Sequence, residues 1–464
     1  MTLSTQPSSP WVGRAVLVVA VTVTLFFSSG FSIAADGWKA GVDRAVITPE
    51  KPMWMAGYAA RNRPAEGKLH DLWAKAFALE DPRGRRAVVV TLDLCGIDRV
   101  FATQVCDALQ QKHKLDRSQI VISVSHTHSG PVVERNLTPM YFIDDAQRKQ
   151  VSEYTDRLRD QVIEIAGRAL AELKPAVLHW GHGRATFAVN RRDNTEAEVP
   201  DLRAAGKLRG PFDHDVPVLA VKTAAGEPLA ILFGYACHAT VLDGYQWSGD
   251  YPGNAMIELE KRHPTATAMF VAGCGADQNP IPRRKVELAE VYGQQLAAAV
   301  DEVLHSPMQK VKGALSTTFR EIDLPFGPLP DRQQLERDRE NKDKYIASRA
   351  KLLLEEIDAG RPLRKTYPYP VQTWRLGDAV HMVWLGGEVV VDYALRFKED
   401  IPPAKAWISG YANDVMAYIS SRRVLAEGGY EGGGAMVYYG LPTAWSEEVE
   451  KLIVDEVGRQ AGVK

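Results

Sequence analysis

The sequence predicts an α/β fold in which mixed β-sheets are flanked by helices, within one domain spanning residues 36–464. Three observations carry that prediction. Of 464 residues, 45% are apolar and 25% charged, the balance of a globular chain. Apolar runs of strand length alternate with segments of helical period. Four polar side chains with reactive chemistry, Asp93, His126, His238 and Glu388, fall where a strand run gives way to a loop.

The N-terminus comes first. Arg14 precedes the apolar run Ala15–Phe27, and small residues follow as far as Ala34 and Ala35. A basic residue, a short apolar core and a small-residue exit make residues 1–35 a secretory signal, cleaved near Ala34 or Ala35. The run is short of the roughly 20 residues a spanning helix needs, although an uncleaved anchor is the alternative. The expected location is therefore outside the cytoplasm, periplasmic or secreted.

"RRAVVVTLDL" (85–94) reads as a buried strand, 99–113 as a helix and 119–125 as a second strand. That order is a βαβ unit, which implies parallel pairing through a crossover. Residues 145–172 have the period of a long amphipathic helix, and 216–238 read as two strands around an Ala-Gly-Glu turn. Pro252 suggests a helix start, with Asp250 as its cap, before the helical stretch 254–263. Residues 267–273 return to strand, 330–359 are charged and helical in period, and "AVHMVWLGGEVVV" is strand again before a last amphipathic helix at 445–460. One continuous core is expected beneath these elements.

Lys plus Arg number 56 and Asp plus Glu 58, which argues against nucleic acid as a partner. The four cysteines are scattered and form no CxxC pair, so neither a disulfide framework nor a thiolate metal site is expected.

Strand ends in open α/β sheets are where ligands bind. In "SVSHTHSGP" (123–131), His126 and His128 are expected to face one side of an extended segment. His238 in "YACHAT" and Glu388 in "WLGGEVV" add a nitrogen and an oxygen donor, and Tyr418 and Tyr430 stand further on. A catalytic zinc takes such N/O donors and keeps a position open. Each residue also has an ordinary reading: a hydrogen-bonded core histidine, or a core or surface tyrosine. Glu388 is the hardest to read that way, because an acid among apolar residues must be paired or metal-bound if buried.

These segments together resemble the neutral/alkaline (non-lysosomal) ceramidase family. "SHTHSGP" is its most specific element, and "MAGYA" (55–59), "AVNRR" (188–192), "FGYACHAT" (233–240), "GGEVV" (386–390) and "YANDVMAYISSRRVLAEGGYEG" (411–432) follow in order. The resemblance implies zinc held by His126, His238, Glu388 and Tyr418. It places His128 and Tyr430 beside the metal or against the scissile carbonyl, and Arg191 where it orients a polar group. The implied reaction is hydrolysis of an N-acyl linkage by zinc-activated water, with ceramide-like lipids favoured. The partner is then a small-molecule or lipid amide, reached with or without transient contact at a membrane surface.

Two departures qualify this. Where the family carries a serine, this chain has "GCGADQNP" (273–280), so a covalent serine step is excluded there; Gln278 remains a hydrogen-bond donor to substrate, or a residue of a Gly-rich turn. The C-terminal β-sandwich of fuller members is not expected. An esterase or other amidase of the same fold, and a non-catalytic zinc-scaffold binding protein, stand as alternatives.

Overall fold

Val88, Val89 and Val90 follow one another without a polar interruption, so a strand through them must bury both faces. It does, in a computed structural model that describes residues 37–133 and 135–462. The signal expected over residues 1–35 lies outside those residues. The large sheet contains β1 (Trp38–Val46), β2 (Trp73–Glu80), β3 (Arg86–Leu92), β4 (Ile120–Val124), β5 (Lys174–Arg184), β6 (Asp215–Thr223), β7 (Pro228–Tyr235) and β8 (Thr267–Ala272). Their order is β8-β7-β6-β5-β1-β2-β3-β4, with the short strand Gln309–Lys310 beside β5.

Neighbours run antiparallel except at the two ends, where β3 pairs with β4 and β7 with β8 in parallel. A parallel pair needs a crossover. Helix α1 (Arg99–His113) supplies the first, and Asp98 caps it by accepting from Phe101 N at 2.8 Å. The long helix α2 (Asp145–Ala171) follows β4, and α3 (Asp250–Arg262) supplies the second crossover. After α4 (Val286–His305) the chain builds a second sheet from β9 (Leu315–Pro325), β10 (Thr366–Leu376), β11 (Val380–Leu385) and β12 (Ala406–Ser409). Between β9 and β10 lie α5 (Arg332–Arg339) and α6 (Lys344–Asp358); the helical stretch expected over 330–359 is thus broken, each piece having its own cap, Asp331 or Asp343. Strands β11 and β12 are parallel and joined through α7 (Val391–Asp400), and α8 (Val449–Ala461) closes the chain.

Alternation along β3 sends Val88 and Val90 toward Phe101, Val105, Leu158 and Val162 of the helices. Val89 points the other way, into a layer with Trp374, Trp384 and Trp407 of the second sheet. That sheet's outer face packs Val371, Val383 and Leu385 against Phe397, Ile453 and Val457. The arrangement is helix, sheet, sheet, helix, so three apolar layers replace the single continuous core expected from sequence. Two intervening sheets divide it.

Helix α3 starts at Asp250, earlier than the stretch 254–263, and Gly249 occupies its cap. Pro252 in the first turn costs no hydrogen bond, because those N–H groups lack intrahelical partners anyway. The buried carboxylate of Asp250 does not serve as the cap expected from sequence. It accepts from Val241 N (3.2 Å), Leu242 N (2.8 Å) and Tyr251 N (2.7 Å), tying down the loop after His238.

The segment 409–413 bridges the opposite ends of the large sheet. Ala412 bridges to Ser123 at the end of β4, and Ser409 to Gly273 at the end of β8. Gly410 N donates to Ala272 O and Val124 N to Tyr411 O, each at 3.2 Å. The loops leaving β4, β7, β8 and β11 therefore converge.

Candidate metal centre

His126 does not continue the strand. Its φ is +58°, a left-handed conformation that costs a non-glycine residue about 1–3 kcal/mol and persists only where surroundings enforce it. The surroundings are specific. The Thr127 hydroxyl donates to Ser248 O at 2.7 Å and accepts from Ser129 N at 3.1 Å, and His128 N donates to Ala239 O at 3.2 Å. The imidazoles of His126 and His128 thus converge, Nε2 to Nε2 at 3.0 Å, through a turn and not through the extended alternation expected from sequence.

His238 leaves β7 with its N–H on Gln278 O (2.9 Å) and its Nδ1 on Gly275 O (2.8 Å). A Cβ at Gly275 would lie 2.4 Å from Cys237 N, so only glycine brings that carbonyl in. Glu388 follows β11 in a two-residue strand parallel to Tyr418–Ile419, with Glu388 and Tyr418 in register. Gly387, at φ +73°, has Ile419 and the Ala417 carbonyl within 2.7 Å of where its Cβ would be. Gly-Gly-Glu is thus the sequence that lets this acid enter the core.

His126, His238 and Glu388 meet through their donor atoms. Glu388 Oε2 lies 3.1 Å from His126 Nε2 and 3.0 Å from His238 Nε2, all three side chains buried. Both imidazoles spend Nδ1 on a backbone carbonyl, Cys95 O at 2.6 Å and Gly275 O at 2.8 Å. A carbonyl only accepts, so Nδ1 carries the proton and a neutral ring turns its Nε2 lone pair toward the carboxylate. Three lone-pair atoms facing one point need a cation or a proton between them, and these three could hold a metal ion. Without metal, burial disfavours the charged His126 ring, but Glu388 and then Cys95 outweigh it and push its pKa up to about 10. Burial, then Arg191, lowers His238 to about 4. Glu388 is held well below the usual carboxylate range despite its burial, chiefly by His126.

The other residues singled out from sequence divide. Tyr418 reaches the cluster, its hydroxyl 3.2 Å from His238 Nε2. Arg191 extends from the short strand Ala188–Asn190 and donates to the Tyr418 oxygen (3.1 Å), to Glu431 Oε1 (2.7 Å) and to Asn279 Oδ1 (3.2 Å). Tyr430 packs edge-on to Tyr418 at 5.2 Å and is 45% exposed, forming the outer wall. His128 stands at the mouth with Nδ1 buried and without a partner among the described residues, and burial together with His126 and His238 holds its pKa well below normal.

Gln278 and Asp93 do not join the cluster. The Gln278 amide donates to Ala236 O (2.5 Å) and accepts from Asp213 N (3.1 Å), and Asp93 accepts from Trp73 N at 2.9 Å. Gln278→Ala should therefore lower stability by about 1–3 kcal/mol, since the groups it leaves are buried, and spare metal content. A melting curve beside metal analysis checks this; loss of metal at unchanged stability would overturn it.

Sequence reasoning missed four neighbours. The Tyr439 hydroxyl donates to Glu388 Oε1. The Tyr411 ring lies 4.5 Å from His126 and its buried hydroxyl has no hydrogen-bond partner among the described residues. Cys95 Sγ is 3.9 Å from His126 Nδ1 and groups with His126 and His128 as a second potential donor set; all four cysteines are unpaired. Arg61, buried, donates to Ala56 O and His128 O, each at 2.6 Å, and to Gly244 O at 2.8 Å, fixing the loops of the mouth. Cys95 follows a strand end, the signal that pointed to His126; the tyrosines carried none.

Gly57 explains the "MAGYA" segment. At φ +93° its missing Cβ would stand 2.5 Å from the His128 ring. Gly57→Ala should displace that ring and cut activity at least about tenfold, with about 1 kcal/mol lost to left-handed strain. Turnover and melting temperature read the two effects separately; unchanged turnover would show that His128 tolerates displacement.

The chain is similar to known proteins. The family described as neutral/alkaline non-lysosomal ceramidase, N-terminal, matches residues 38–279. A neutral ceramidase of Pseudomonas aeruginosa is 23% identical over 500 aligned positions, covering 90% of this chain and 71% of that protein. Neutral ceramidase 2 of Arabidopsis thaliana is 33% identical over 233, covering 47% of this chain and 29% of that protein. The crystal structure of neutral ceramidase from Pseudomonas aeruginosa superposes with a TM-score of 0.70 at 22% identity, over 92% of this chain and 75% of that one. With more than half of its length matched, from the first strand through the His126 turn and the His238 loop, the chain belongs to the neutral/alkaline non-lysosomal ceramidase family.

Proposed function

We propose that residues 36–464 form a single zinc-dependent hydrolase domain that cleaves N-acyl linkages, with ceramide-like lipid amides as favoured substrates. The observation that carries this reading is the convergence of His126 Nε2, His238 Nε2 and Glu388 Oε2 with their protons committed elsewhere. Those donors suit zinc, and Tyr418 completes the set of four. When bound, zinc supplies Lewis acidity toward an amide carbonyl and acidifies water toward neutral pH. The chain's own residues do the remainder. Cys95 O and Gly275 O fix the tautomers of the two ligand histidines. Arg191 holds the Tyr418 oxygen and places positive charge where an amide oxygen gains negative charge. His128, whose Nε2 faces the cluster 3.0 Å from His126 Nε2, is placed to accept a proton from water and to return one to the leaving amine. Tyr430 forms the wall against which the substrate lies.

The Ala15–Phe27 run supports export with cleavage near Ala34 or Ala35, which N-terminal sequencing of the mature protein tests. Among the described residues no helix is long and apolar enough to cross a membrane. The deciding experiment for the activity is metal analysis of purified protein together with a screen of fluorogenic N-acyl and ester substrates. Stoichiometric zinc with amide turnover supports the enzyme; full zinc with no turnover of any amide or ester would leave a binding scaffold.

A further inference from the structure

Glu388 uses its two carboxylate oxygens differently. Oε2 faces His126 Nε2 at 3.1 Å and His238 Nε2 at 3.0 Å, is buried, and has no hydrogen-bond partner among the described residues. Oε1 takes the Tyr439 hydroxyl instead. A phenol donates one proton, so that bond occupies Oε1 and leaves Oε2 as the oxygen offered to a cation. The difference bears on coordination number. His126, His238, Tyr418 and one oxygen of Glu388 are four donors, whereas both oxygens of Glu388 would make five and fill the position that a catalytic metal keeps for water or substrate.

Tyr439 is held from outside the cluster. It ends the one-turn helix Met436–Tyr439, and Gly440 follows at φ +71°, a left-handed conformation that glycine adopts without strain. A Cβ there would stand 2.8 Å from Leu352 of α6 and 3.1 Å from Pro139, so the end of the helix is packed closely against both. On the preceding residue, the Tyr438 ring lies 5.1 Å from that of Tyr345 in α6 and 6.1 Å from that of Tyr430. These contacts of the flanking residues fix where the Tyr439 hydroxyl arrives, and it arrives on a carboxylate 51 positions earlier in the chain.

We propose that Tyr439 is a positioning residue of the metal centre: by occupying Glu388 Oε1 it keeps that ligand to one oxygen and so keeps a coordination position open. The inference rests on the zinc-hydrolase reading above and adds to it a residue that acts through a ligand.

Infrared difference spectra of the full-length protein, zinc-loaded minus metal-free, test it. The antisymmetric and symmetric stretches of a carboxylate are widely separated when one oxygen binds the metal and close together when both do. The wild type should show the wide separation. Tyr439→Phe keeps the ring and loses the hydroxyl; it should shift to the narrow separation while still binding one zinc per chain. At saturating zinc its kcat on an N-acyl substrate should fall about 10- to 100-fold with KM little changed, the range typical of hydrogen-bond partners of metal ligands. A narrow separation in the wild type, or an unaltered one in Tyr439→Phe, would overturn the role, and the wild-type spectrum decides even where the variant does not fold. Wild-type protein that binds no zinc would defeat the zinc reading itself and this inference with it, a result that metal analysis tells apart from the other two.

Discussion

The His126→Ala, His238→Ala double variant should contain no stoichiometric metal and should turn over N-acyl substrates no faster than the buffer. Both nitrogen donors are gone, and the remaining carboxylate with the Tyr418 phenol cannot hold a tetrahedral site. The same change has a cost in folding. Glu388 is buried and faces those two rings, so removing them strands an uncompensated charge, worth about 3–5 kcal/mol where a buried pair is broken. Glu388→Ala should also abolish metal binding and turnover, but without that charge penalty, because it takes the buried anion away. Metal content by mass spectrometry, turnover and melting temperature in the presence and absence of chelator separate the two variants. Full metal occupancy in the double variant would sink the assignment of these residues.

His128→Ala should behave differently: metal retained, turnover down by about 100- to 10,000-fold, the range lost with a general acid–base group. The reason lies in the two ring nitrogens. His126 and His238 each anchor Nδ1 on a carbonyl, as metal-ligating histidines do. His128 has no such anchor, so its proton can move between nitrogens while the ring sits 3.0 Å from His126 Nε2. A ligand needs a fixed tautomer; a proton carrier needs a free one. Parallel measurement of zinc content and kcat distinguishes them. If His128→Ala loses metal as readily as His126→Ala, then His128 is a ligand and the carrier must be sought elsewhere.

The local elements were legible in the sequence because their causes are local. Helix α1 runs over Arg99–His113 as its period indicates, and α2 and the strands β3, β4 and β8 fall within a residue or two of their apolar runs, while β7 ends at Tyr235, three residues before the end expected at 238. The His-x-His, Cys-His and Gly-Gly-Glu segments could likewise be picked out, since an acid inside an apolar run and a histidine at a strand end conflict with burial unless something compensates them. What local pattern could not decide was which of these side chains meet. That depended on segment 409–413 joining both ends of the large sheet, on the left-handed turn at His126 held by Thr127 and Ser248, and on the register of Glu388 with Tyr418. Tyr439 and Arg61 take their places by contacts between residues 51 and 183 positions apart, and Gln278, which sequence placed near the substrate, is turned by Ala236 and Asp213 into the scaffold. Periodicity acts over a turn or a strand, whereas the direction of a side chain in a loop is set by whichever distant backbone groups are left to satisfy, and only the folded chain brings those groups together.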